Sequence, residues 1–301
     1  MNNKCCEHHR SVMVHEALHY LLPKKNGIYI DGTLGEGNHT LAILEATEGR
    51  CRVIGLDLDR EAIRLAESNL RAYSDSVELF EASYADFDSV LRSLDIEKVS
   101  GILLDLGVST LQLKGDGRGF SYEKDEPLDM RMSSRNPITA ETIVNRYSES
   151  ELARVIFELG DEKRFARRIS RHIVRRRPLL TTGDLVSAVR NALPPEEIRK
   201  RRRHFATRVF QAIRIEVNKE IDTLERSLVR MPDYIKDGGR LVVISFHSLE
   251  DRAVKNKFRE MKDSELKILT KKPVVPSERE LISNPRSRSA KLRAAERIAR
   301  G

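Results

Sequence analysis

The sequence predicts an α/β fold, an open Rossmann-like parallel sheet into which a small helical domain is inserted. Strand and helix signals alternate through the first third of the chain, and a glycine-rich turn follows the first apolar run. After residue 106 no strand-like run returns until residue 238. Such alternation suits parallel strands, whose crossovers need a covering element.

The first run, at about 28–31, ends in Asp31 and leads through Gly32-Thr33-Leu34-Gly35-Glu36-Gly37-Asn38-His39-Thr40 into a helix expected at about 38–47. In an open parallel sheet, ligands bind beyond the carboxyl ends of the strands, where glycines admit a close backbone approach and helix amides point outward. Gly35 and Gly37 supply that approach. The second run, at about 52–57, ends in Asp57, an acid placed to accept both ribose hydroxyls of a nucleoside cofactor. A dinucleotide fingerprint needs a third glycine where Thr40 stands, which disfavours a dehydrogenase. Glu36 would set a carboxylate where a pyrophosphate lies, whereas S-adenosylmethionine has no phosphate and carries a sulfonium cation. The turn favours S-adenosylmethionine over NAD, and its plainer reading is a tight turn in some other α/β protein.

A helix at about 60–73 buries Ile63, Ala66, Leu70 and Tyr73 on one face and turns Arg60, Glu61, Arg64 and Glu67 to water. Strands at about 77–81 and 99–106, with a helix near 86–94 between them, complete the half-sheet. Asp105 ends its fourth strand, ahead of Leu106-Gly107-Val108-Ser109. An acid there could accept the N–H groups of an exocyclic amine, localising a lone pair otherwise delocalised into a base ring. Cofactor binding is an alternative role, and capping of a turn a third.

The stretch that follows opens with Lys114-Gly115-Asp116-Gly117-Arg118-Gly119-Phe120, turns helical from about Pro137 and is broken at Pro194-Pro195. The expected boundaries are 1–112 for the first part of the sheet domain, 113–205 for the insert and 206–301 for the second part, with a helix at about 206–230 leading back. Arg164, Arg168, Arg171 and Arg175 recur at helical spacing beside Phe165, Ile169 and Ile173, and a second basic block, Arg199 to His204, includes Arg201 and Arg202. One such block is ordinarily a solvated face. Two in one insert, in a chain of net charge +8 and pI near 9.4, point to a polyanionic partner held through its phosphates, with nucleic acid expected. Few aromatics interleave with the arginines, which favours backbone recognition over base stacking.

The turn Asp237-Gly238-Gly239 introduces the next central strand, which opens at Phe246-His247-Ser248-Leu249-Glu250-Asp251 into the same crevice. His247 could contact substrate or accept a proton, and Ser248 with Asp251 reads as a helix N-cap.

The 301 residues suggest about two domains. No apolar stretch approaches the roughly 20 residues of a membrane span, and the amino-terminal stretch has no signal-peptide pattern. A cytoplasmic protein without membrane association is expected. Three cysteines make no disulfide framework. Cys5, Cys6, His8 and His9 are ligand types crowded into one stretch without a second cluster, so no metal site is expected. The chain has no P-loop, H-E-x-x-H or nucleophile elbow.

Together, Asp31 to His39, Asp105-Leu106-Gly107-Val108-Ser109, Arg118-Gly119-Phe120-Ser121, Pro127-Leu128-Asp129-Met130-Arg131-Met132, Ile244 to Arg252 and Asn284-Pro285-Arg286-Ser287-Arg288-Ser289 resemble the motifs of the RsmH (MraW) family over nearly the whole chain. The resemblance implies a class I S-adenosylmethionine-dependent methyltransferase fold with an inserted helical domain. It implies methyl transfer to the exocyclic N4 of a cytidine in the decoding region of bacterial 16S ribosomal RNA, with the small ribosomal subunit as the expected context. It also implies cofactor contacts at Gly37, Asn38, His39, Asp57, Tyr84, Asp105 and Gln112.

Three positions depart from the family or its wider class. Asn38 stands where a second glycine is common, and Ser11 replaces proline in His9-Arg10-Ser11-Val12. Asp105-Leu106-Gly107-Val108 replaces the Asp/Asn-Pro-Pro-aromatic motif common among amino-methylating enzymes, so a residue stacking on the target base must come from elsewhere. Phe120 and Phe246 are the candidates, with anchoring of the insert the plainer role for Phe120. The remaining alternatives are methylation of another base amine in RNA or DNA, and a non-catalytic RNA-binding assembly factor. The oligomeric state is open, and a homo-oligomer is compatible with the sequence.

Overall fold

The computed structural model describes residues 11–107 and 117–299. Gln112, Cys5, Cys6, His8 and His9 lie outside the described residues. A seven-stranded sheet has the order β3-β2-β1-β4-β5-β7-β6. Its strands are β1 (Ile28–Asp31), β2 (Arg52–Asp57), β3 (Val77–Glu81), β4 (Val99–Asp105), β5 (Ile235–Ser245), β6 (Leu266–Ile268) and β7 (Lys291–Arg297). The first five pair in parallel, and β7 runs antiparallel between β5 and β6.

Central strands covered on both faces read as unbroken apolar runs, and alternate residues enter two separate cores. On one face Ile30, Ile54, Ile102, Leu104 and Val243 meet Phe87, Leu91, Leu224, Leu228 and Phe258. Those partners come from α4 (Phe87–Ser93), α11 (Glu220–Arg230) and α12 (Ser248–Glu260). On the other face Tyr29, Val53, Leu103 and Val242 meet Leu21, Ile43, Leu44, Ile63 and Ala66, from α1 (Val14–Leu21), α2 (Asn38–Ala46) and α3 (Arg60–Asn69). The chain winds outward from β1 to β3 and then restarts at β4 on the other side of β1. The crevice at this switch point is where an α/β sheet binds its ligand.

Three expectations about elements need correction. The helix expected at 60–73 ends at Asn69, and Tyr73 lies in a following 3-10 turn with non-helical φ/ψ. Asp237-Gly238-Gly239 does not introduce β5 but lies within it, where Val99 pairs with Ile235 and Gly101 with Arg240 across a register shift. Gly238, at φ +72°, accommodates this bulge. The single helix expected at 206–230 is two, α10 (Thr207–Asn218) and α11, broken at Lys219 with φ +49°.

The described residues form two compact units, one up to Gly107 and from Ile221 onward, the other from Gly117 to Glu220. The second contains α5 (Ala140–Arg146), α6 (Glu149–Glu158), α7 (Ala166–Arg175), α8 (Thr182–Ala192) and α9 (Pro195–Lys200). It also contains α10, which lies beyond the expected boundary at residue 205. The reason is packing: Val209, Phe210, Ile213 and Val217 of α10 join Ile143, Leu152, Ile156 and Ile169 in one core. Capping boxes start α6 at Ser148 with Glu151 and α8 at Thr181 with Asp184. No helix among the described residues is long and apolar enough to cross a membrane.

Candidate cofactor site

β1 delivers Asp31, fully buried, to the base of the glycine turn. Its Oδ1 accepts the Thr33 N–H at 3.3 Å, and its Oδ2 accepts the Thr40 hydroxyl at 2.8 Å. Thr40, which breaks the dinucleotide fingerprint, thus ties α2 back to β1. Burial holds the Asp31 pKa above the usual carboxylate value against the opposing His39 charge and Thr40 hydrogen bond. The motif displayed Asp31 and Thr40 in sequence but not their contact.

Above this base the turn needs two left-handed residues, Gly35 at φ +52° and Gly37 at φ +81°, conformations that cost other residues roughly 1–2 kcal/mol. A Cβ on Gly37 would lie 3.0 Å from Leu70 Cδ1, whereas one on Gly35 would meet nothing within 4 Å. Gly37 lets the turn sit against α3, and Gly35 bares backbone. The N-cap residue, Gly37, offers α2 no side-chain hydrogen bond. An uncapped N-terminus of this kind offers its amides to a carboxylate.

Asp57 closes the turn from β2. Its Oδ2 accepts the Gly35 N–H and its Oδ1 the Asp59 N–H, both at 2.8 Å. Each oxygen keeps a second lone pair for a hydroxyl. Burial pushes the Asp57 pKa up to about 6, overriding the two amide hydrogen bonds, and the charges of Asp59 and Asp31 add to the rise. Tyr84 starts the 3-10 turn after β3, where Ser83 Oγ accepts the Ala85 N–H. Half-buried, it stands with its Cβ 3.0 Å from where a side chain on Gly32 would begin. Gly32 therefore makes room for the tyrosine beside the turn.

β4 brings Asp105 to the same end of the sheet. Its backbone N–H donates to Thr33 Oγ1 at 2.5 Å, and its Oδ2 lies 3.3 Å from Nε2 of the nearly buried His39. Asp105 Oδ1 is buried without a hydrogen-bond partner among the described residues. Burial disfavours a charged His39, but the adjoining Asp105, with Asp31 and Glu280, more than offsets this and holds its pKa above the ordinary histidine value.

β5 ends at Ser245 and is followed by Phe246 and His247. A Cβ on Gly107 would lie 3.3 Å from Phe246 Cδ2, so that ring closes over the exit from β4. The helix cap expected at Ser248 is His247 instead. Nδ1 of His247 accepts the Glu250 N–H at 3.3 Å, and Nε2 lies 3.1 Å from Glu250 Oε1. Glu250 Oε2 in turn accepts the N–H groups of Phe246 and His247. The imidazole expected as a substrate contact or proton acceptor thus holds the start of α12, a capping box in which histidine takes the usual Ser or Thr place.

Within the insert, Phe120 is 7% exposed and packs in the core with Leu128 and Met130, the anchoring role rather than a stacking surface. Arg164 precedes α7 and pairs with Glu197 at 2.8 Å, and Arg171 pairs with Glu149 at 3.3 Å. Arg201 is only 18% exposed and sits 2.7 Å from the buried Glu162, so its guanidinium serves the fold. Arg168, Arg175 and Arg202 are exposed and make no ion pair among the described residues. Burial and then the charges of Arg168, Arg175, Arg176 and Arg171 hold the His172 pKa below its ordinary value, a sign of uncompensated positive charge along α7.

The sheet end thus presents paired acceptors at Asp57, bare backbone at Gly35, an uncapped helix and a buried carboxylate oxygen at Asp105. These features fit a nucleoside carrying an amino-acid group. A sequence profile described as the MraW methylase family matches residues 6–298. A protein of Kosmotoga olearia called ribosomal RNA small subunit methyltransferase H is 63% identical over 298 residues, covering 99% of this chain and 100% of its own. Its namesake from Thermotoga neapolitana is 57% identical over 299 residues, covering 99% of each chain. A solved putative methyltransferase of Streptococcus mutans in complex with SAH aligns over 96% of this chain and all of its own, at 12% identity and a TM-score of 0.49.

Proposed function

The chain belongs to the MraW methylase family, and from that membership we propose that it is an S-adenosylmethionine-dependent methyltransferase of 16S ribosomal RNA, acting on the exocyclic N4 of a cytidine in the decoding region. The supporting observation is the convergence of Asp57, Gly35 and Asp105 at the switch point of the sheet, with acceptor atoms left over on both acids.

S-adenosylmethionine supplies a methyl group on a positively charged sulfur. Asp57 would receive the ribose hydroxyls, the backbone at Gly35 and Gly37 with the start of α2 would receive the amino-acid end, and Tyr84 stands where it would meet the adenine. Asp105 offers Oδ1 to an N–H donor. On cytosine the N4 lone pair is delocalised into the ring, and the nitrogen gains positive charge as it bonds the methyl carbon and that carbon's bond to sulfur breaks, its electron pair staying on the sulfur. A fixed carboxylate stabilises that charge most at the transition state. Positioning and exclusion of water carry the reaction, so no strong base is needed, and the surplus proton leaves to the carboxylate or to water.

Arg168, Arg175 and Arg202 contact RNA phosphates, which orient the substrate without reading its sequence. Such a substrate places the protein in the cytoplasm, with the small ribosomal subunit as its partner.

The test is incubation with radiolabelled S-adenosylmethionine and either naked 16S RNA or small subunits lacking the modification, followed by nucleoside analysis. Label in N4-methylcytidine is expected. Label in another base overturns the assignment of the acceptor, and no label despite cofactor binding overturns the catalytic reading.

A further inference from the structure

Asp105 ends β4 and His39 is the second residue of α2. His39 Nε2 lies 3.3 Å from Asp105 Oδ2, the two side chains being 5% and 20% exposed. That distance is long for a charge-assisted hydrogen bond, and Nε2 makes no directed hydrogen bond among the described residues. The contact is therefore a long ion pair in which Asp105 raises the proton affinity of the imidazole by its nearness as an acceptor and by its charge. Asp105 is also held from its backbone by Thr33 Oγ1. One carboxylate oxygen faces the imidazole, and the other is buried and unpartnered among the described residues.

We propose that His39 is a positioning residue: by holding Oδ2 it keeps the Asp105 carboxylate in one orientation, with Oδ1 left for an N–H donor of the bound ligand. The proposal rests on the reading of the crevice as a methyl-transfer site. A freely rotating carboxylate in water would reorganise as positive charge develops on the acceptor nitrogen, whereas one fixed beforehand stabilises that charge without reorganisation.

Among the described residues, the charged groups that act on His39 are acidic: Asp105 at the end of β4, Asp31 at the end of β1 and Glu280 of α13 (Glu278–Ser283). Glu280 is itself oriented by the Met13 N–H at 2.7 Å. Burial opposes charge on the ring, and the three carboxylates together outweigh it. The pair is therefore intact below the ordinary histidine value and is lost as pH rises through the higher value of the folded protein. Space filling alone would be indifferent to that charge.

The test uses ¹³C-labelled histidine in the full chain, with His39→Ala, His39→Gln and Asp105→Asn variants. By NMR, His39 titrates above the ordinary histidine value, and the titration moves down in Asp105→Asn. S-adenosylhomocysteine affinity by calorimetry and methyl transfer to unmodified small subunits are followed from pH 6 to 9. His39→Ala loses about 100-fold in affinity or kcat, the size of a misplaced catalytic group. His39→Gln, a neutral donor of similar reach, recovers part of that loss and lacks the alkaline decline of the wild type. Wild-type affinity and an unchanged pH profile in His39→Ala, or an unmoved His39 titration in Asp105→Asn, overturn the proposal. If the wild type binds S-adenosylhomocysteine but does not methylate the subunits, the functional reading fails, and the titration and binding arms still decide the role of His39. Should His39→Ala not fold, His39→Gln and the titration decide it.

Discussion

Asp57 holds two backbone amides while standing in an environment that penalises its charge. With its folded pKa raised to about 6, the folded apo-protein binds this proton more tightly than the unfolded chain does. Stability from this group is present below the unfolded value, near pH 4, and is lost as pH rises through about 6, at a cost of about 3 kcal/mol. Asp57→Asn removes the titration, so its stability relative to the wild type should rise with pH across that window, as urea denaturation at several pH values would reveal. Affinity for S-adenosylhomocysteine should move oppositely in the wild type, tightening as pH rises through about 6 and before the alkaline decline set by His39, because only the carboxylate accepts both ribose hydroxyls. Asp57→Ala should weaken it roughly 100-fold by calorimetry, the value of two hydrogen bonds to a charged group. Asp57 and the glycines were legible in sequence because the strand end, the turn and the acid are neighbours along the chain. The meeting of His39 with Asp105 was not, since 66 residues separate them and only the pairing of β1 with β4 brings them together.

At the scale of elements, the first four strands begin as expected, because buried parallel strands must be apolar throughout and their boundaries are marked by acids and turns. What escaped the sequence are the interruptions. Lys219 takes a left-handed conformation without being glycine, and no local signal announces a break that tertiary packing imposes. The cap of α12 escaped for another reason: histidine is an unusual N-cap, so Ser248 attracted the assignment. Glu250, 2% exposed, satisfies two amides and faces the imidazole. Glu250→Ala should therefore cost about 2 kcal/mol, read as a lower urea midpoint at unchanged slope. His247→Asn retains an acceptor at the cap and should lose less. Its methyl-transfer rate then reads the chemistry of the imidazole apart from its structural duty.

At the scale of the molecule, the arginine blocks identified a basic insert but not which guanidiniums are free, because their acidic partners are distant in sequence. Glu162 and Glu197 claim Arg201 and Arg164, leaving Arg168 and Arg175 on the exposed face of α7. Reversing both to glutamate should weaken RNA binding at low salt. It should also lower the slope of log K against log salt by about 2, one for each lost phosphate contact, as measured by filter binding at several salt concentrations. Melting midpoints should move little, since both side chains are exposed. Another consequence concerns the order in which the chain is made. β5 lies between β4 and β7, yet its β7 partner, Lys291–Arg297, is synthesised about fifty residues later. Until those residues leave the ribosome, the nascent protein carries an apolar strand with one bare edge, a template for pairing with other chains. A chain stopped after Asn284 should retain every cofactor-site side chain described above and still precipitate, which light scattering of the refolded product would detect. β7 is thus a late latch: the sheet is safe from its neighbours only once Lys291–Arg297 has been made and paired with β5.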